Sequence, residues 1–590
     1  MSLKSCNASK QVRPPAPTSP ADGIDFGFWI LGFGLHIRRT KRGGHKSKFQ
    51  NLKSKILLPV LLTLCPILAH AQAFTSSNLP IFVIDTGGQV VVDEPKITAH
   101  LGLVDNGEGV RNHIDDPFNA YDGFIGIEVR GSSTRMFPKQ AYAFETRDEN
   151  GENLNVPLLG MPEENDWILY APYSDKSMLR NVLTYHLARR MGRYASRTRF
   201  CEVVINGDYR GVYVLLEKVK RDNERVDIEG LTPEDRDGDA VTGGYIIKLD
   251  KFDGAEQGGW ASDYPPPANA NRQIFYQYHE PKASEITPEQ TAYIQGYMRD
   301  FENLMASSTY ADSTTGYPAR IDVDAFADFF LLNELSKNVD GYRLSTFLNK
   351  DRDSNDGRLV VGPIWDFNLA FGNADYYNGA QFSGFQVDFS IPQDTWQVPF
   401  WWGRLLEDEA FQGRLRSRWD HLRAGPLQSD SLFAFLDTQV ALLEEAQVRN
   451  FVRWPVLGLY VWPNAFVGQT YAQELTYLKD WLLQRLAWLD FNIGTRQISE
   501  GPKIDTFSAP FPNPFTTQTQ VTVSVSRVQR IRLAVYDILG REVALLYDSF
   551  LQDDQAYTFT LDDAALPSGV YFIHLRGATF IETRRVVLVR

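Results

Sequence analysis

Apolar and polar positions alternate along the first part of the chain, switch to helical spacing, and alternate again near the end. The stretch LPIFVIDTGGQVVVD (79–93) reads as strand, turn and strand, and further short strands follow up to FIGIEVRGSS. In KSMLRNVLTYHLARRMG, Met178, Leu179, Val182, Leu183, Leu187 and Met191 fall on one helical face, and Gly192 suits a C-terminal cap. RFCEVVING and GVYVLLEKVK are strand-like runs joined at Asn206-Gly207-Asp208, a strong hairpin signal. TGGYIIKLDK predicts another strand. Residues 253–283 are polar, aromatic and Pro-rich and read as an insertion loop. TPEQTAYIQGYMRDFENLMA predicts an amphipathic helix capped by Thr287, with Glu289 nearby, and DVDAFADFFLLNELSKNVDG a second helix, apolar on one face. LSTFLNKD and GRLVVGPIWDF form a hairpin that puts Asp366 at the end of its returning strand. From Trp401 to about Asn492 the spacing is helical.

The pattern changes at SEGPKIDTFSAPFPNPF. Beyond it, QVTVSVS, IRLAVYDILG, YTFTL, GVYFIHLRG and ETRRVVLV are evenly spaced strands, the pattern of a small β-sandwich. The fold expected is therefore α+β followed by a β-sandwich. The 590 residues divide into an atypical extension (1–45), a signal peptide (46–71), a strand-rich segment (72–124), the main α+β domain (125–499) and the sandwich (500–590).

Composition narrows the function. A net charge of -13 makes nonspecific nucleic-acid binding a poor reading, since that needs a basic footprint. Lys46, Lys48, Lys53 and Lys55 precede an apolar run from Ile56 to Leu68, and Ala69-His70-Ala71 fits small-x-small cleavage. The run is too short to span a bilayer, so export is expected, with no transmembrane helix in the mature chain. Cys201 is then the single mature thiol, leaving no internal disulfide and reading as a small buried hydrophobe.

Phosphoryl transfer needs metal ions and cations around concentrated negative charge, and an acid to orient the attacking hydroxyl. Asp340, just past a helix, and Asp366, on the returning arm of the next hairpin, lie 26 positions apart. A short hairpin can bring both to one cleft, and a divalent ion there would offset the desolvation of Asp366 among apolar neighbours. DRDSNDG (351–357) imitates a calcium loop, but its Gly falls one place late and Gly362 stands where the bidentate Glu belongs, so a hairpin turn is favoured. Trp401, Trp402, Trp419, Trp454 and Trp462 read as core rather than as a sugar platform.

Seven blocks in register resemble the CotH kinase family: VRGSSTRMFPKQAYAFE, DWILYAPYSDKSMLRNVLTYHLARRMG, EVVINGDYRGVYVLLEKVKRDNERV, GGYIIKLD, NVDGYRLSTFLNKD, GPIWDFNLAFGN and RNFVRW. The resemblance spans roughly residues 125–454. It implies an atypical kinase-like fold that transfers the γ-phosphoryl of ATP to Ser or Thr of exported proteins with Mg²⁺ or Mn²⁺. By position, Asp340 would be the catalytic acid, with Asp366, Ser345 and Asn368 at the metal. Arg130, Ser132, Lys139, Glu217 and Lys218 would meet the nucleotide. Asp175, Arg180 and Asn181 lie around the start of the helix that would replace the kinase regulatory helix. Three departures stand out: Ser345 where the family often has Asn, Asn368 where it often has Asp, and Glu145 where it often has Lys. They favour the alternative, a non-catalytic pseudokinase-like surface scaffold or adhesin. PFPNPF, VYDILGREV, LPSGVYFIHL and TRRVVLVR resemble the type IX secretion sorting domain, which implies export through the periplasm by that machinery and secretion or attachment at the cell surface.

Overall fold

The computed structural model describes residues 74–252, 258–494, 506–525, 529–538, 540–551, 556–562, 566–577 and 581–589. The expected extension and signal peptide and the expected junction near residue 500 lie outside the described residues.

Seven strands close a barrel: β1 (Ile81–Asp85), β2 (Ile97–Val104), β3 (Tyr121–Arg130), β4 (Ala141–Arg147), β5 (Asp166–Tyr170), β6 (Thr198–Ile205) and β7 (Asp208–Glu217). Their order is β1-β2-β3-β4-β5-β7-β6, antiparallel except where β1 meets β6 in parallel and shuts the ring. The strands β1 and β2 of segment 72–124 thus belong to the same barrel as those that follow. Period-two alternation sends Cys201, Val203 and Ile205 of β6 inward, while Phe200 packs in the larger cluster built mainly of helical side chains. Cys201 is fully buried and unpaired. The β6–β7 hairpin turns at Asn206 and Gly207, both with positive φ (50° and 76°), the backbone that Asn-Gly favours. VVVD forms no strand: Val90 is 80% exposed, and the next ladder starts only at Ile97, after Pro95.

Helix α1 (Arg180–Arg190) follows β5. A second, antiparallel sheet runs β9-β10-β8-β11-β12, with β8 (Tyr245–Leu249), β9 (Gly259–Ala261), β10 (Phe275–Glu280), β11 (Thr346–Lys350) and β12 (Leu359–Val361). The stretch 253–283 is therefore not a plain loop. Its aromatic residues Trp260 and Tyr276 face each other across β9 and β10, and pairing in the sheet outweighed the polar, Pro-rich composition.

The helical layer comprises α2 (Pro288–Ala306), α3 (Val323–Ser336), α4 (Phe400–Glu407), α5 (Glu409–Arg423), α6 (Ser429–Leu443), α7 (Ala446–Arg453) and α8 (Tyr471–Asn492). Thr287 caps α2 in a reciprocal box with Gln290, not with Glu289. Helix α3 differs from the one-sided pattern expected: every residue from Ala325 to Ser336 is buried. Such a central helix must satisfy its polar members internally. Glu334 accepts from Tyr342 Oη (2.8 Å), the backbone N–H groups of Gln386 (2.7 Å) and Val387 (2.8 Å), and Arg485 of α8 (3.0 Å). Arg485 also donates to the carbonyls of Glu334, Phe382 and Gly384.

The RNFVRW block is a clasp between α7 and the barrel. Asn450 Oδ1 accepts from Val212 N–H (3.1 Å) and Lys139 Nζ (2.8 Å), Arg453 donates to Tyr209 C=O (2.8 Å), and Trp454 Nε1 donates to Arg210 C=O (2.8 Å). Gly211 has φ +91°, and a Cβ there would lie 2.6 Å from Asn450 Oδ1, so the clasp requires glycine.

In the C-terminal part, β13 (Thr506–Phe507), β14 (Gln518–Ser524) and β17 (Ala556–Asp562) form one sheet in the order β13-β14-β17. The strands β15 (Gln529–Asp537), β16 (Glu542–Leu551), β18 (Gly569–Arg576) and β19 (Ile581–Leu588) form the other, ordered β16-β15-β18-β19. Val521, Val523, Ile531, Leu533 and Ile573 share one core between them, the arrangement of a sandwich. Among the described residues, no helix is long and apolar enough to cross a membrane.

Arg485→Ala strands the Glu334 carboxylate in the core. The expected cost is about 3–5 kcal/mol, read as a lowered urea midpoint. Replacing both partners, Arg485→Met with Glu334→Gln, is expected to recover much of it. An Arg485→Ala midpoint equal to wild type would show that the pair holds nothing in place.

Candidate active site

A cleft of about 440 Å³ lies between the barrel and the second sheet. The barrel contributes Glu128, Arg130, Gly131, Ser132, Ser133, Ala141, Ala143, Ile168, Leu216 and Lys218. The opposite wall carries Lys248, Asp250, Lys251, His279, Asp340, Ser345, Trp365, Asp366, Asn368 and Tyr376. Asp340 and Asp366 therefore share one cavity.

Their placement is a backbone matter. Asn338, in the turn after α3, accepts from Asp340 N–H through Oδ1 and donates from Nδ2 to the Asp366 carbonyl, each at 3.3 Å. Helix α1 fixes the other side. Its Asn181 and Tyr185, one turn apart on the same face, accept from Phe367 N–H (2.7 Å) and Asp366 N–H (3.1 Å). Asp366 does not end a strand, as the sequence suggested. Strand β12 stops at Val361, and Asp366 follows in an irregular stretch with φ +62°. Ser345 is also left-handed, with φ +48°. Non-glycine residues hold such backbone only when their surroundings over-determine it, at a cost of about 1–3 kcal/mol each.

Burial first, then the charges of Asp340 and Asp250, push the Asp366 carboxyl up to about 6 against the opposing pull of Lys251 and Arg130. Burial likewise raises Asp340, opposed by Arg343 and Lys251. A cleft that holds acids at this cost while lined by Arg130, Lys218, Lys248 and Lys251 suits a ligand bearing both anionic oxygens and a cation.

The other predicted residues divide. Arg130 lies in the cleft with its guanidinium over Trp365, 5.3 Å from the ring centroid. Ser132 and Lys218 line the cleft too, Lys218 with an ion pair to Asp166 at 3.4 Å. Lys139 and Glu217 do not line it. The Lys139 ammonium is buried against Val212 C=O (2.6 Å) and Asn450, and burial draws it down to about 7. Alternation along β7 sets Leu216 and Lys218 toward the cleft and Glu217 away from it, into ion pairs with Arg197 (2.8 Å) and Arg225 (3.4 Å). Both are framework residues here. Asp175 and Arg180 form a buried 2.6 Å ion pair, and Arg180 Nε donates to Ala370 C=O, tethering the turn beyond Asp366. Glu145 also lies outside the cleft, paired with Lys96 (2.7 Å) and Arg147 (3.0 Å). In the 351–357 loop, Asp353 pairs with Lys350 and Asp356 with Arg358, so the calcium-loop imitation is a hairpin turn. Trp401, Trp402 and Trp419 are core, whereas Trp462 is 43% exposed at the cleft and lies parallel to Tyr376.

Sequence reasoning missed Asp250, Lys248, Lys251 and His279. The first three end a recognised block, and an acid closing an apolar strand was a usable signal. His279 lay in the stretch read as a loop. Its Nε2–H donates to Val219 C=O at 2.9 Å, and burial pulls it down to about 4, helped by Lys248, Lys218 and Arg130.

Among the described residues, no three His, Cys, Asp or Glu side chains stand close enough to hold a metal unaided. The candidate donors are hard oxygens: the Asp340 and Asp366 carboxylates, with Asp250 beside them in the cleft, the Ser345 hydroxyl and the Asn368 amide. Asn368 is 7% exposed and its side chain makes no hydrogen bond among the described residues. This set fits Mg²⁺ or Mn²⁺, which keep water and phosphate oxygens in their coordination shell.

Barrel, helical layer and shared acidic cleft define an α+β protein with a candidate catalytic site between two layers, followed by a β-sandwich. The chain belongs to the CotH kinase protein family, whose model matches residues 127–489, and the secretion system C-terminal sorting domain model matches 509–589. The tail marks the chain for secretion by the type IX system. No curated protein matches the chain.

Asp366 titrates near 6 in the fold against an ordinary 3.8. Its charge therefore destabilises the fold: the cost is absent below about pH 4, grows up to about pH 6 and is full above, on the order of 2–3 kcal/mol. Asp366→Asn is expected to melt a few degrees above wild type at about pH 7.5 and level with it at about pH 4, by differential scanning calorimetry. Equal melting at both values would remove the electrostatic cost from this account.

Proposed function

We propose that the chain is an exported protein kinase that transfers the γ-phosphoryl of ATP to a Ser or Thr hydroxyl of another exported protein. The observation that carries this reading is the Asn338 bridge, which ties the backbones of Asp340 and Asp366 together at one cleft. The bound divalent ion would neutralise phosphate charge, with Asp366, Asn368 and Ser345 as its protein donors. Arg130, Lys218, Lys248, Lys251 and the turn after Gly131 supply cations and N–H groups for phosphate oxygens. Asp340 accepts the proton of the acceptor hydroxyl as its oxygen bonds to the γ-phosphorus. The bond from that phosphorus to the bridging oxygen breaks, ADP leaves, and the proton passes to solvent.

Asn368 and Ser345, being neutral, support a second reading: a nucleotide-binding scaffold without turnover. Glu145 does not, because its charge is spent on Lys96 away from the cleft.

The test is incorporation of γ-labelled phosphate into a generic Ser/Thr protein substrate. Wild type is expected to label it with Mg²⁺ or Mn²⁺, and Asp340→Asn and Asp366→Asn to lose about 10²- to 10⁴-fold in rate. Equal labelling by wild type and both variants would end the kinase reading. A melting shift with ATP and metal but no labelling would select the scaffold. Glu145→Lys is expected to leave the rate within about twofold, since Glu145 lies outside the cleft, and to lower the melting temperature by setting a third cation beside Lys96 and Arg147.

A further inference from the structure

Segment 367–399, between Asp366 and α4, contains no helix or strand, yet its backbone is held by buried cations. Lys337 Nζ donates to the Gln381 and Ser383 carbonyls, and Arg485 to those of Phe382 and Gly384. One tie reaches Asp340 itself. Arg343, 3% exposed, donates from Nη2 to Asp340 Oδ1 (3.0 Å) and to Val339 C=O (3.0 Å), and from Nε to the same carbonyl (3.1 Å). Its Nη1 pairs with Asp394 of the segment at 3.3 Å. The guanidinium lies 4.3 Å from the Phe389 ring centroid and 5.5 Å from that of Tyr377. Asp394 is fixed in turn by Tyr377 Oη (2.7 Å) and Trp396 N–H (2.8 Å).

We propose that Arg343, oriented by Asp394, is a positioning residue that fixes one oxygen of Asp340 and leaves the other to the acceptor hydroxyl. Oδ2 of Asp340 makes no hydrogen bond among the described residues, and Asp340 lines the cleft. A planar guanidinium packed against the edge-to-face pair Phe389 and Tyr377 and paired with two carboxylates has little freedom, so it transmits a fixed orientation as well as a charge. The segment that follows Asp366 thereby sets the aim of Asp340 through Asp394.

The proposal rests on the kinase reading for its rate consequence but not for its geometry, and the test separates the two. In the full mature chain, Arg343→Met is expected to keep the ATP-induced melting shift and the KM for ATP within about threefold while kcat falls about 10- to 100-fold, the loss typical of a misaimed group. Arg343→Lys is expected to recover part of kcat by restoring charge without the fork, and Asp394→Asn to fall between. Crystal structures of wild type and Arg343→Met are expected to show Asp340 in different rotamers. An unchanged Asp340 rotamer overturns the proposal whatever the activity, as does an unchanged kcat in folded Arg343→Met. A rotamer change in a protein whose wild type transfers no phosphate keeps the positioning role and removes the kinase reading.

Discussion

The cleft depends on how one amide side chain is spent. Asn338 uses its oxygen on the Asp340 N–H and its nitrogen on the Asp366 carbonyl, so two segments separated by a β-hairpin share one side chain. Burial first, and then the like charges of Asp340 and Asp250, oppose this arrangement, as the upward shift of the Asp366 carboxyl reflects. Backbone bonds hold what the carboxylates alone would not. Helix α1 adds Asn181 and Tyr185, and α3, buried on every side, supplies a rigid base. The strained φ of Asp366 is sustained from two sides, by Asn338 on its carbonyl and by Tyr185 on its N–H.

Much of this was legible in the sequence, and the failures have physical causes. Helix α1, the Asn206-Gly207 hairpin and the alternating C-terminal strands followed from local pattern and turn chemistry. The barrel did not, because its closing contact pairs β1 with β6 across more than a hundred residues, and no local period encodes that register. Strands β9 and β10 were hidden by Pro and polar residues around them. In the site, Asp340, Asp366, Arg130, Ser132 and Lys218 stood in blocks whose spacing carried them to the cleft. Lys139 and Glu217 stood in similar blocks, but one is drawn into the α7 clasp and the other faces away by strand alternation. Charge type marks both kinds of residue alike, so only the fold separates a lysine that lines the cleft from a lysine buried against framework oxygens.

The α7 clasp extends that distinction. RNFVRW shows the residue types of a binding motif, two arginines, an amide and a tryptophan. Apart from Asn450, which takes up Lys139 and the Val212 N–H, its polar groups serve mainly the β6–β7 hairpin: Arg453 and Trp454 cap the carbonyls of Tyr209 and Arg210, and Arg449 meets the Glu202 carboxylate. The block fastens the barrel to the helical layer.

The parallel contact of β1 with β6 bears on where the protein can be cut. The family match begins at residue 127, inside β3, whereas the ring needs β1 and β2 to close. A fragment started at that match would lack two staves and truncate a third, leaving β6 and β4 with open hydrogen-bonding edges. Such edges recruit other chains, so the fragment's expected fate is self-association. The unit of inheritance and the unit that can stand alone in water differ here by about fifty residues.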